Sequence, residues 1–352
     1  MSASWPTAWL LTVAWFAVAF LGALIGTGLV LRILRRRAIL DHPNERSSHA
    51  VPTPRGGGIA LVFVLLPAWS VIALGVPGQT FIIWLVLGAA LLLAGVSWAD
   101  DLAGISRSIR FAAHIAAVAL VLSALPRDAF FFQGVLPLAL DRLAAGILWV
   151  WFINLFNFMD GIDGIAGAEV AAVGFGLFLI TAVAGGGGVP MLFGLTLAAT
   201  ALGFLWWNWH PAQVFLGDVG SVPLGYLLGW LLLEAALKGF WAAALILPLY
   251  YLADATITIL RRLVAGERIW QAHAQHFYQR AVQRGLSHAA VVRIILLANG
   301  VLIVLALLAA AGAETAALLG ALATVAALLT VLARWRGGGG AGDGAPGGGS
   351  DR

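Results

Sequence analysis

Cysteine is absent from the 352 residues, and lysine occurs once, at Lys238. The first absence excludes disulfides, a thiol nucleophile and any thiolate metal site. The second leaves aspartate and histidine as the candidates for a general base. Charge is scarce as well: Asp, Glu, Lys and Arg make up 10% of the chain against 61% hydrophobic residues, and the mean hydropathy is +0.96. A soluble domain is about half apolar and a quarter charged, so this composition defines a polytopic membrane protein. A formal charge of +4 and a pI near 10.1 do not point to nucleic acid, because no basic patch interleaved with aromatics accompanies them. In so apolar a chain the arginines read as topology signals.

What is present is a series of long apolar runs. A bilayer-spanning helix needs about 20 mostly apolar residues, and that ruler gives about eleven candidate spans, making the fold class all-α, a polytopic membrane helix bundle. They are Ala8 to Leu31, Ile59 to Leu74, Phe81 to Ala99, Ile109 to Leu125, Leu138 to Phe156, Ile165 to Ala184, Val189 to Trp207, Val219 to Leu237, Phe240 to Leu260, Ala289 to Ala311, and Ala313 to Ala333. The first run lacks a basic leader and a small-residue cleavage site, so it reads as a helix and not as a signal peptide. Residues 1–336 form one transmembrane domain. Residues 337–352 are a Gly-rich tail expected to be disordered.

Cytoplasmic loops retain arginine and lysine, and 17 of the 20 basic residues fall on one set of alternate loops and on the C-terminal tail. The exceptions are Arg127, Arg142 and Lys238. The N-terminus is therefore expected outside and the C-terminus in the cytoplasm. The same alternation gathers all the large polar clusters on the cytoplasmic face, while the opposite loops, one of them Gly185 to Gly188, hold almost nothing reactive.

Those clusters carry the chemistry. The segment from Asp41 to His49, followed by Pro52-Thr53-Pro54-Arg55-Gly56-Gly57-Gly58, is expected to be irregular because of its prolines and glycines. Its glycines allow close approach to a ligand while Arg46, His49 or Arg55 meets phosphate oxygens. Asp100 and Asp101 are adjacent acids at the end of an apolar run, an arrangement that calls for a cation, an arginine partner or one raised pKa. Arg107, Arg110 and His114 follow at helical spacing. Asn154, Asn157, Asp160 and Asp163 end another span, with Gly161 and Gly164 leaving the backbone open; Asp160 and Asp163, three apart, face the same way on a helical turn. Gly217-Asp218-Val219-Gly220 delivers one acid between two glycines. The segment from Arg261 to Ser287 carries His273, His276, Arg280 and Arg284; with no third strong ligand nearby it suits phosphate clamping better than zinc. Hard carboxylate and carboxamide ligands beside phosphate-directed arginines indicate magnesium chemistry on a diphosphate.

From Asp41 to Arg284 the chain resembles the polyprenyl-phosphate N-acetylhexosamine-1-phosphate transferases, and more distantly the phospho-MurNAc-pentapeptide translocase. The stretches that carry the resemblance are Pro52 to Gly58, Asp100-Asp101-x-x-Gly104, Asn154-x-x-Asn157-x-x-Asp160-Gly-Ile-Asp163-Gly164, Phe215-Leu-Gly-Asp218-Val-Gly-Ser221 and His273-x-x-His276. The resemblance implies attack by a lipid-phosphate oxygen on the β-phosphorus of a UDP-N-acetylhexosamine, releasing UMP and leaving a polyprenyl (undecaprenyl) diphosphate sugar. It makes Asp218 a magnesium ligand and has Asp100 and Asp101 engage lipid phosphate or metal, with Asp101 as the second ligand; Mn²⁺ is expected to substitute for Mg²⁺. Asn157 and Asp160 become catalytic polar residues and His276 the histidine on the diphosphate. Asp163, Asn208 and Phe215 become part of the nucleotide pocket, and Arg55, Arg110, His273 and Arg280 further substrate-binding groups. Two departures stand out: many relatives carry lysine where Arg110 stands, and the last motif reads His-Ala-Gln-His. With His114 and Glu169 these resemble the branch that starts O-antigen synthesis, so a 6-deoxy-N-acetylhexosamine donor is an alternative to UDP-GlcNAc. The expected setting is the bacterial inner membrane, with the active site facing the cytoplasm and a homodimer as the expected assembly.

Two other classes compete. An ion-coupled secondary transporter also uses buried acids, but near the bilayer midplane, where here only Asp254 falls. A CDP-alcohol phosphotransferase opens on Asp-Gly-x-x-Ala-Arg, and Asp160-Gly161-Ile162-Asp163 lacks the alanine-arginine pair.

Overall fold

The structure, a computed structural model, describes residues 5–43, 51–76, 78, 80–183, 190–268, 271 and 273–335. Arg46, His49, the run Gly185 to Gly188 and the tail from residue 337 lie outside the described residues. Helix α1 (Trp5–Arg36) leads into a two-stranded antiparallel ribbon, β1 (Leu40–Asp41) and β2 (Thr53–Pro54). Seven helices follow: α2 (Gly58–Leu74), α3 (Thr80–Ala103), α4 (Arg107–Ala124), α5 (Leu138–Phe158), α6 (Ile165–Val183), α7 (Met191–Asn208) and α8 (Asp218–Leu237). The C-terminal part holds α9 (Trp241–Ile246), α10 (Leu249–Val264), α11 (Phe277–Gln283), α12 (His288–Ala310) and α13 (Glu314–Arg334).

Among the described residues nine helices are long and apolar enough to cross a membrane, and α2 is a shorter apolar one. The expected eleven uninterrupted spans need one correction. The stretch Phe240 to Leu260 is not one helix but two, α9 and α10, separated at Leu247 and Pro248. Proline has no N–H to donate and its ring clashes with the preceding turn, so the helix breaks there. A second correction concerns Pro52 to Gly58, which is not wholly irregular: Thr53 and Pro54 pair with Asp41 and Leu40. A strand this short tolerates Pro54 because it uses the proline's carbonyl, which accepts the Phe215 N–H at 2.8 Å.

Lipid removes the hydrophobic drive between helices, so they associate through close packing of small residues. α6 and α7 meet at Gly174 and Gly194, where a Cβ on either would lie under 3 Å from the other's carbonyl oxygen. α5 and α8 meet where Gly229 makes room for Trp149, whose ring stacks on Tyr226 at 4.8 Å and whose Nε1 donates to the Tyr226 carbonyl at 2.9 Å. The tightest approach lies between the start of α2 and the start of α8. A Cβ on Gly58 would sit 2.2 Å from the Gly220 Cα, and the Gly58 N–H donates to the Leu216 carbonyl at 2.9 Å. This contact lays the Arg55 segment across the N-terminus of α8. Because successive helices alternate in direction, the ends of α3, α5 and α7 and the starts of α2, α4, α6 and α8 share one end of the bundle.

Candidate active site

At that end three segments far apart in sequence, around Arg55, from Asp100 to Arg110, and at Asp218, lock together through charge. Arg55 Nη2 lies 2.9 Å from Asp101 Oδ1 and 2.9 Å from Asp218 Oδ1. Arg110 Nη1 bridges Asp100 Oδ2 at 2.6 Å and Asp218 Oδ2 at 3.1 Å. Asp218 is thus held between two guanidiniums, each carrying a second acid on its far side. The backbone explains the order. Asp218 opens α8 after Gly217, whose φ of 75° is a left-handed conformation open to glycine. The exposed N–H groups of that first turn need acceptors, and Asp101 supplies them, accepting from the Asp218 amide at 3.2 Å and the Val219 amide at 3.0 Å. Its side chain is 1% exposed, so a buried anion caps the positive end of α8. Asp100 turns the other way and accepts from the Ile105 amide, closing the end of α3.

The remaining expected residues surround this core. Asn157 donates to Ser221 Oγ at 2.8 Å, tying α5 to α8. Asp160 follows α5 in a turn. Burial pushes its carboxyl up to about 7, and Asp218, Asp101 and Asp163 add to the effect against the opposing pull of Arg55. His273 and His276 place their rings 4.9 Å apart. Burial, with His276 and Arg262 nearby, lowers the His273 pKa to about 4, so that ring is neutral at neutral pH.

Asp163, Asn208 and Phe215 lie beside the charged core and not within it. Asp163 Oδ2 meets His210 Nδ1 at 2.6 Å, His288 Nδ1 at 3.2 Å and the Ala212 amide at 3.2 Å. Burial works to raise this carboxyl, but the bonds from His288, His210 and Ala212 outweigh it and leave it below the ordinary range. Asn208 is buried; it accepts from the Gly164 amide at 3.0 Å and donates to the Val214 carbonyl at 2.9 Å. Phe215 is half-buried, and its carbonyl accepts from the Gly56 and Gly57 amides, which fixes the turn behind Arg55. Arg280 sits on α11 near Arg261 and Arg284, one turn after His276, whose carbonyl accepts from its amide at 3.0 Å. Residues that the sequence reading did not single out include His210 and His288; Ser221 closes one of its motifs but was given no role. A lone histidine in the first turn of α12 carries no sequence signal that it will meet Asp163.

One large cavity opens beneath the charged core. It measures about 1350 Å³ and is lined at one end by Arg107, Arg110, Asp218, Asn157, His273 and His276. Farther along, its walls are apolar side chains of α4 and α5, among them Ile115, Val118, Leu122, Leu143 and Ile147, and it ends at Arg142. Arg142 donates to the Leu122 carbonyl at 2.7 Å, near the far end of α4. The cavity therefore runs most of the length of the bundle, polar at one end and apolar beyond.

The site therefore defines a multi-pass membrane bundle with an arginine and carboxylate cluster at the mouth of a long apolar cavity. Comparison with known proteins sharpens this. Residues 83–236 match glycosyl transferase family 4. A Bacillus subtilis (strain 168) protein named as a probable undecaprenyl-phosphate N-acetylglucosaminyl 1-phosphate transferase is 31% identical over 295 residues, 80% of each chain. The decaprenyl-phosphate N-acetylglucosaminephosphotransferase of Mycobacterium tuberculosis (strain CDC 1551 / Oshkosh) is 32% identical, covering 78% of this chain and 76% of its own. The phospho-N-acetylmuramoyl-pentapeptide-transferase of Mycolicibacterium paratuberculosis (strain ATCC BAA-968 / K-10) is 27% identical over 74% of this chain and 87% of its own. The chain belongs to glycosyl transferase family 4, as its motifs led us to expect.

Proposed function

We propose that the protein transfers an N-acetylhexosamine 1-phosphate from a UDP-sugar to a polyprenyl phosphate, releasing UMP. The observation that carries this reading is the charged core itself, arginines and carboxylates side by side at the head of a cavity whose apolar walls run along α4 and α5. Family membership favours it over the secondary transporter and the CDP-alcohol phosphotransferase. The names of two relatives favour N-acetylglucosamine 1-phosphate as the transferred group, which makes UDP-GlcNAc the first arm of a donor panel and a 6-deoxy-N-acetylhexosamine donor the second. The product would open O-antigen or another cell-envelope polysaccharide. The distribution of arginines supports a site facing the cytoplasm.

Asp101 and Asp218 fit a hard divalent cation. Both offer only oxygen, and the space between them already holds a positive charge, the Arg55 guanidinium at 2.9 Å from each. These two residues would hold Mg²⁺, which supplies charge neutralisation for the phosphoryl oxygens. The rest is work for the chain's own side chains. Arg55 and Arg110 flank Asp218, Arg110 on the cavity wall, so the phosphates of donor and acceptor would each meet a guanidinium suited to bidentate contact. An oxygen of the acceptor phosphate attacks the β-phosphorus, the bond from that phosphorus to the bridging oxygen breaks, and the oxygen leaves with UMP. The acceptor is already ionised near neutral pH, so no strong base is required. The apolar walls exclude water that would otherwise compete for the phosphoryl group.

Asp160 gives this reading a pH dependence. Its folded pKa, about 7, lies above the ordinary carboxylate value, so the folded protein holds this proton more tightly than the unfolded chain. Its contribution to stability therefore falls as pH rises between the two values. Its contribution to cation binding runs the other way, because only the ionised form attracts Mg²⁺. Apparent Mg²⁺ affinity should rise from about pH 6 to about pH 8, with proton release on binding. Titration calorimetry in buffers of different ionisation enthalpy reads both; an affinity flat across that range with no proton released would remove Asp160 from the cation's surroundings.

A further inference from the structure

We propose that Asp254 is a positioning residue for His276, fixing the ring so that Nε2 is presented to the diphosphate; what the ring touches rests on the transferase reading above. Asp254 lies in α10, fully buried, and its carboxylate gathers five donors. Oδ1 meets His276 Nδ1 at 3.1 Å, the Phe277 amide at 3.1 Å and the Thr258 hydroxyl at 3.3 Å. Oδ2 meets the Tyr250 hydroxyl at 3.1 Å and the Tyr278 amide at 3.4 Å. Backbone N–H groups reach both oxygens and cannot reverse their role, so the carboxylate is an acceptor and Nδ1 of His276 carries the hydrogen. Nε2 is then the ring nitrogen left for a ligand. The ring is buried yet lines the cavity together with Asn157 and Asp218.

The arrangement depends on the break at Pro248. α10 starts afresh there and brings Asp254 under the first turn of α11, whose Phe277 and Tyr278 amides it accepts. One carboxylate therefore sets both where α11 begins and how the histidine just before it is turned. His273, the neighbouring ring, has no such partner among the described residues: its Nδ1 accepts from the Gln275 amide at 3.4 Å. Of the two histidines, His276 is the one built to hold a fixed tautomer and to stabilise a charge on its ring.

The test is a double-mutant cycle on the purified, detergent-solubilised full chain, reading kcat and KM for the UDP-sugar, with thermal unfolding as the control for folding. Asp254→Asn and His276→Asn should each lower kcat by roughly 100-fold, and the double variant should fall no more than about threefold below the worse single one. Losses that multiply, to about 10⁴-fold in the double variant, would mean that Asp254 acts only through the fold and would overturn the proposal. Should Asp254→Asn fail to fold, Asp254→Glu takes its place in the same cycle: it keeps the charge but moves the oxygens, and a wild-type kcat in that variant overturns the proposal equally. The pairing is also read without turnover. ¹⁵N spectra should show the His276 ring protonated at Nδ1 in the wild type and lose that signature on Asp254→Asn; a wild-type ring without hydrogen on Nδ1 sinks the pairing. If no UDP-N-acetylhexosamine yields UMP while the ring signature is as expected, the transferase reading fails and the pairing stands.

Discussion

Asp218→Asn should cut turnover by about 10³-fold or more while leaving the fold intact, with a weaker apparent affinity for Mg²⁺. The residue sits between Arg55 and Arg110, with Asp101 and Asp100 on the far sides. An amide keeps the shape but removes the one negative charge that both guanidiniums share. Two arginines then lose a partner at once, and the proposed cation loses a ligand. Helix α8 should still form, because its first turn is capped by Asp101 and not by the Asp218 side chain. The checks are kcat at saturating substrate, the Mg²⁺ concentration for half-maximal rate, and the thermal midpoint. A variant with wild-type kcat would contradict the placement of Asp218 at the reacting centre.

Gly58→Ala is expected to be nearly as damaging for a different reason. The added methyl would lie 2.2 Å from the Gly220 Cα and 2.5 Å from its nitrogen, backbone that cannot rotate away. Overpacking typically costs about 1–3 kcal/mol, and the upper end applies where no flexible side chain can yield. The start of α2 must shift, and Arg55, three residues earlier, must shift with it. A displacement on the order of 1 Å in a positioning group can cost about 10²-fold in rate, so activity should fall by at least that much together with the thermal midpoint. Gly95→Ala is the control: it is in α3 with nothing within 4 Å of the added methyl, and alanine is the better helix former. Equal effects from the two substitutions would mean that the Gly58 and Gly220 contact is not what assembles the site.

Much of this was legible in the chain because charge is rare in it. Asp100, Asp101, Arg110 and Asp218 stood out as polar groups at the ends of apolar runs, and the alternation of helices was enough to put them at one end. The apolar runs themselves fixed the helical fold class. What the sequence concealed depends on contacts between distant segments. Asp101 reads as half of an acid pair, yet its two amide contacts make it the cap of a helix that begins 117 residues later. Asn208 is expected in a nucleotide pocket only through the family resemblance; its bonds to Gly164 and Val214 belong to tertiary structure and have no sequence signature. The role of Asp254 was hidden by the unbroken hydrophobicity around Pro248, which suggested one span and gave no hint of α11 lying against α10. His288 lay outside every motif, and only the folding of α12 against the turn after α5 brings it to Asp163.

The most direct measurement is the identity of the released nucleotide. Purified protein would be incubated with Mg²⁺, undecaprenyl phosphate and a panel of UDP-N-acetylhexosamines, and the nucleotide and lipid products resolved. Attack at the β-phosphorus predicts UMP in amounts equal to a lipid product carrying a diphosphate sugar, with no UMP when the lipid phosphate is left out. Release of UDP would mean transfer at the sugar carbon and would contradict the account.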